Sequence, residues 1–128
     1  MLTPPRLGRQ HDSLQTGAII TAIRTLHTAQ VEFYSRYGRY AASLTELGPP
    51  PSGAASPSAA DLISNDLAVG EKSGYKLALT ATPDGYAINA DPVAFNSRAG
   101  RTFYSDQTLV IRENLGWEPA TSNSQELR

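Results

Sequence analysis

The chain has 128 residues, 40% of them hydrophobic and 18% charged, with 11 Lys and Arg against 12 Asp and Glu for a net charge of −1. That length suits one domain able to bury a core, and a near-neutral balance supplies no field to gather nucleic acid. The sequence has no cysteine, which excludes disulfides and thiolate metal sites, and no apolar run approaches the roughly 18 residues that cross a bilayer.

Residues 1–12 read as a polar lead-in, without the apolar stretch of a signal peptide. Asp12 and Gln15 have the spacing of an N-terminal capping box. Ile19, Ile23, Leu26, Phe33 and Tyr37 then recur at helical steps, with Ala22, Ala29 and Tyr34 at the edges of the stripe. Thr21, Arg24, Thr25, Thr28, Glu32, Ser35 and Arg36 fill the opposite face, so the mildly basic front third reads as a solvated helix surface. Gly38 stops the helix, which is predicted over 13–37. Gln30 falls inside the apolar stripe and reads as a core-edge amide bonded to backbone.

Tyr40, Leu44 and Leu47 anchor a short turn of helix over 42–47, and residues 49–60, made only of Pro, Ser, Gly and Ala, read as a flexible loop. Ser58 and Asp61 open a short helix carrying Leu62, Ile63 and Leu67 and ended by Gly70. From Gly74 the period becomes two. Tyr75, Leu77, Leu79 and Ala81 form one strand, Thr82-Pro83-Asp84-Gly85 a turn, and Tyr86, Ile88 and Ala90 a second strand. Asn96–Gly100 reads as loop, 102–105 and 109–112 as further strands, Trp117 as a cover for an open end of the core, and residues 118–128 as a flexible tail. The predicted class is α+β: a long N-terminal helix packed on a three- to four-stranded antiparallel sheet, in one domain over 13–117.

Chemistry is hard to find in the sequence. His11 and His27 have no second ligand at metal spacing, no G-x-S-x-G is present, and neither His lies near a Ser in a recognisable arrangement. Gly70-Glu71-Lys72-Ser73-Gly74 fails as a phosphate loop because Glu71 separates Gly from Lys. Asp84, Asp91 and Asp106 lie at turns, where such residues satisfy local amides. Calcium takes such loop oxygens, but without a D-x-[DN]-x-[DN]-G run no cofactor is expected. Tyr34, Tyr37 and Tyr40 interleaved with Arg36 and Arg39 read as core packing or a protein interface before a nucleic-acid platform. The composition and motifs point away from an enzyme.

The segment from Ala22 to Tyr40, with Ala29-Gln30 ahead of Tyr34 and Tyr37-Gly38-Arg39-Tyr40 closing it, resembles the second half of the long helix of bacterial type IV pilin-like proteins and type II secretion pseudopilins. Leu44 to Leu47, Ser73 to Lys76, Tyr86 to Pro92, Phe103 to Gln107 and Val110 to Arg112 extend the resemblance in the same order, over roughly residues 18–112. Residues 1–17 depart from it, lacking a basic leader, a peptidase site and a hydrophobic half-helix, and Leu109 stands where similar sequences often carry Gly. The resemblance implies a structural subunit of a type IV pilus-like filament or secretion pseudopilus in the cell envelope. Its partners would be copies of itself or other pilin-like subunits, with a membrane only if a longer native form carries a hydrophobic helix. Ile19, Ile20 and Ile23 are then the assembly-interface candidates, and Leu26, Phe33 and Tyr37 hold the helix on the sheet. The alternative is a soluble module of the same kind that recruits one protein partner without polymerising.

Overall fold

The structure is a computed structural model and describes residues 7–72, 74–93, 101–115 and 118–126, with only the backbone of 7–16 and 115. The Asp12–Gln15 capping pair, His11, Trp117 and the Asn96–Gly100 loop therefore lie outside the described side chains. Helix α1 runs Leu7–Tyr37 and ends on Gly38. The backbone there turns left-handed, at φ 75°, a conformation glycine adopts at little cost. Its inward stripe is Ile19, Ala22, Ile23, Leu26, Ala29 and Phe33, all buried.

A short helix, α2 (Leu44–Leu47), follows, capped by the Ser43 hydroxyl accepting from the Glu46 amide at 3.3 Å. The Glu46 carboxylate reaches back to the Ala42 amide at 2.9 Å, so each residue satisfies a donor the helix start leaves open. The chain then returns along α2: the amides of Ala60, Asp61 and Leu62 donate to the carbonyls of Glu46, Gly48 and Leu47. Ala59 and Ala60 are buried, so the end of the expected loop is pinned. Helix α3 is Asn65–Val69, starting after Ser64 rather than Ser58 and ending on left-handed Gly70.

The remainder is one antiparallel sheet in sequential order: β1 (Glu71–Lys72), β2 (Tyr75–Thr82), β3 (Gly85–Pro92), β4 (Arg101–Asp106), β5 (Ile111–Leu115) and β6 (Gln125–Glu126). The expected architecture, a long helix on a three- to four-stranded pilin-like sheet, is corrected by this six-stranded sheet. The two extra strands are β1 and β6, each two residues long at an edge. Two residues carry no alternation for a period to register, so the sequence reads one as a connection and the other as tail.

Alternation sorts the longer strands. Tyr75, Leu77, Leu79, Tyr86, Ile88, Ala90, Phe103 and Ile111 share the face that meets α1 and form the core with its stripe. On the other face, residues 118–120, expected in a tail, cross the sheet. The Glu118 carbonyl accepts from Thr102 Oγ1 at 2.6 Å and Asn114 Nδ2 at 2.9 Å, and the Ala120 carbonyl accepts from Asn89 Nδ2 at 3.2 Å. Thr102, beneath this strap, and Ala120, within it, are both buried.

Candidate functional site

The most concentrated polar group in the core is one the sequence does not reveal. His27 projects from the flank of α1 between β3 and β4, its Nδ1 2.6 Å from the Tyr86 hydroxyl and its Nε2 2.7 Å from Ser105 Oγ. Alternation places Tyr86 and Ser105 on the helix-facing side, and all three residues are buried. Ser105 Oγ also donates to the Val110 carbonyl at 2.8 Å. Its single proton being used there, it must accept from the imidazole, so Nε2 carries the hydrogen and Nδ1 accepts from Tyr86. That chain of donors requires neutral His27. Burial, the larger influence, lowers its pKa from the ordinary 6.5, against an upward pull from the Asp106 carboxylate.

A serine beside a histidine invites comparison with a nucleophile and its base. Here the hydroxyl proton points at a carbonyl instead of the imidazole, and both Tyr86 and Ser105 are closed to solvent. Burial pushes the Tyr86 phenol well above its ordinary value, and the neighbouring Tyr40 and Asp106 add to the effect, so it too stays neutral. The group is a bracket that fastens α1 to β3, β4 and the turn after β4.

Beside the bracket lies a cleft of about 510 Å³ lined by Arg24, His27, Thr28, Leu109, Val110, Ile111 and Glu126. Its lip is the β4–β5 turn. Asp106 shapes that turn by accepting from the Thr108 amide at 3.0 Å and from the Thr108 hydroxyl, while its other oxygen accepts from Tyr104 at 2.9 Å. Burial alone would raise the Asp106 pKa, but these bonds and Arg112 hold it below the ordinary carboxylate value. Leu109 stands at the lip, 54% exposed and with φ 70°, a left-handed conformation that leucine rarely adopts. A smaller groove of about 410 Å³ lies along α1 between Thr25, Thr28, Ala29, Glu32 and Leu62.

Of the assembly candidates, Ile19 and Ile23 are fully buried in the chain's own core, and Ile20 is only partly covered. Leu26 and Phe33 are fully buried, and Tyr37 packs partly buried on Phe33 with ring centroids 4.7 Å apart. Gln30 has no exposed surface; its Nε2 donates to the Ala41 carbonyl at 3.0 Å and its Oε1 accepts from the Ala41 amide at 2.8 Å. Among the described residues no three His, Asp or Glu side chains gather as a metal site, and Asp84, Asp91 and Asp106 stay apart. Burial raises the Asp91 pKa, and its Oδ1 has no hydrogen-bond partner among the described residues. No described helix is long and apolar enough to cross a membrane. Comparison with protein-family models, curated proteins and solved structures finds no match.

Proposed function

We propose that this chain is a structural subunit that works by contact with other protein chains, in a filament or secretion pseudopilus of the type IV pilin-like kind in the cell envelope, and that it is not an enzyme. The observation that carries this reading is how the segment Ala22–Tyr40 is used. Its distinctive residues serve the scaffold: Ala22, Leu26, Ala29 and Phe33 fill the core, and Gln30 clamps the helix to the chain beyond Gly38 by both of its amide groups. The residues with reactive side chains are spent the same way, His27 and Ser105 in a buried bracket and Asp106 in a turn. Five large hydrophobic side chains nevertheless stay outside: Val31, Tyr34, Val69, Val93 and Leu109 are each at least half exposed. Such side chains are the usual material of protein contacts.

The test is self-association of the full chain. Sedimentation velocity from micromolar to near-millimolar concentration, with negative-stain microscopy of the most concentrated sample, should show species growing beyond the monomer. A strictly monomeric chain at every concentration would sink the filament role. One observation favours the alternative of a soluble module with a single partner. Ile19 and Ile23 are already satisfied within the chain, so assembly through them would require the core to open. A stable one-to-one complex with a protein from the source cells, without self-association, would decide for it.

A further inference from the structure

The sheet has two edges, and they are finished differently. At one, β6 pairs with Arg112 and Glu113 of β5, so charged side chains guard that side. At the other, β1 covers only the start of β2: Lys72 pairs with Tyr75, Glu71 with Lys76, and the Leu77 amide donates to the Gly70 carbonyl at 2.7 Å. Beyond Leu77 nothing among the described residues pairs with β2 on that side. Alternation fixes which backbone groups are left. Thr82 pairs with Gly85 at the hairpin turn, so Thr82, Thr80 and Ala78 bond to β3, while Leu79 and Ala81, in phase with Leu77, turn their N–H and C=O groups outward.

An open edge strand is a template for another strand, and folded chains blunt it with charge, proline or a bulge. The stretch Ala78-Leu79-Thr80-Ala81-Thr82 has none of these: it is uncharged and regular in its pairing with β3, with proline only beyond it at Pro83. Ala78, Thr80 and Ala81 are exposed. The stretch also matches itself. Laid antiparallel about a two-fold axis through Thr80, Leu79 meets Ala81 of the second copy, and the outward N–H and C=O groups of both are satisfied. The ends match as well. The next outward residue, Leu77, falls opposite the second copy's Pro83. The Leu77 amide is already bonded to Gly70 and proline has no N–H, so neither end is left with a stranded donor.

We propose that two copies of this chain pair through the β2 edge, antiparallel and about a two-fold axis at Thr80, and so join their sheets into one. Thr80 is then the closest cross-strand pair, set against its own copy on the face away from α1. The contact goes beyond the filament reading. A two-fold interface closes at two chains, which makes the dimer, not the single chain, the unit that any longer assembly adds.

The experiment places charge at that pair in the full chain. Thr80 is exposed, so Thr80→Lys and Thr80→Glu should fold and melt close to the parent. In sedimentation velocity from micromolar to near-millimolar concentration the parent should reach a dimer. Each variant alone should pair at least about tenfold more weakly, because like charges meet at the axis. An equimolar mixture of the two should recover the dimer, which only a contact of this position with its own copy allows. Thr80→Cys gives a second readout in a chain that has no other cysteine. Directly opposed, non-hydrogen-bonded residues have Cα atoms about 4.5 Å apart, within reach of a disulfide, so mild oxidation should give a covalent dimer. Ala78→Cys, exposed on the same face but set opposite the second copy's Thr82, should not. If the parent associates and Thr80→Lys associates equally well, this surface is wrong while the self-assembly reading stands. A dimer that Thr80→Lys abolishes, with no larger species in the parent, upholds the edge pairing and sinks the filament. A parent that stays monomeric overturns both.

Discussion

Replacing Gln30 by leucine tests the scaffold at its most specific point. The side chain has no exposed surface and meets both backbone groups of Ala41, itself fully buried, at 2.8 and 3.0 Å. Leucine is close to glutamine in volume, so little cavity is left and the change isolates the hydrogen bonds. It orphans one N–H and one C=O, each costing about 1–3 kcal/mol when stranded away from water. The apolar side chain recovers part of that by its own burial, leaving an expected loss of about 2–4 kcal/mol. A small domain holds only about 5–15 kcal/mol in total, so the loss would be plain in urea unfolding followed by circular dichroism. Gln30→Glu supplies the internal control. Ionised, it keeps an acceptor for the Ala41 amide but turns an oxygen toward the Ala41 carbonyl; protonated, it regains a donor. Its deficit relative to the parent should therefore shrink as pH falls. A Gln30→Leu protein within about 0.5 kcal/mol of the parent would refute the clamp.

Three further outcomes follow from the packing. His27 has its folded pKa below the unfolded 6.5, so the unfolded state binds the proton first; its contribution is full above pH 6.5 and is lost as pH falls through the lowered folded value. The urea midpoint should hold steady above neutrality and drop below it, and His27→Gln should flatten the drop; an equal slope in the variant would contradict the assignment. Phe33→Ala, at a fully buried ring packed on Tyr37 with the Arg39 guanidinium 5.1 Å from its centroid, should cost about 3–5 kcal/mol, and a loss under about 1 kcal/mol would argue against the helix–sheet core. Thr102→Val removes the 2.6 Å bond to Glu118 while Asn114 still serves that carbonyl, so it should cost only about 1 kcal/mol but speed amide exchange in 118–126; unchanged exchange there would mean the strap does not depend on Thr102.

Regular periodicity is the part of this fold that the sequence makes legible. The stripe from Ile19 to Phe33 and the alternation from Tyr75 to Ala90 are long enough to fix a helix and a hairpin, and the structure pairs Thr82 with Gly85 across the predicted turn. The legible part ends where an element is too short to repeat. Neither β1 nor β6 spans one full alternation, and each exists only because a neighbouring strand offers it hydrogen bonds. The strap over 118–120 is likewise held by side chains from three different strands, and nothing within its own sequence marks it. The bracket is harder still, because His27 stands 59 residues from Tyr86 and 78 from Ser105. Only the alternation of the strands hinted at it: polar Ser105 falls in register with Ile88 and Ile111, on a face where a hydroxyl needs a partner.

That bracket and the exposed leucine are joined. Ser105 Oγ accepts a hydrogen bond from the imidazole Nε2–H and donates one to the Val110 carbonyl, adjacent to Leu109, so the hydrogen bonds that require a neutral His27 also hold the turn that presents the lip. Protonating His27 would put a hydrogen on Nδ1, facing a Tyr86 hydroxyl that now donates to it, and the contact must turn or open. Asp106 favours that protonation, whereas burial, the larger influence, opposes it by promoting the neutral ring. Amide exchange in the β4–β5 turn, at Thr108 to Val110, should therefore speed up in mild acid at pH values where circular dichroism still reports a folded chain. His27→Gln, which cannot take up the proton, should lose that pH dependence. If acid speeds exchange in the turn equally in parent and variant, the turn is not governed by His27 and the link between bracket and lip is wrong.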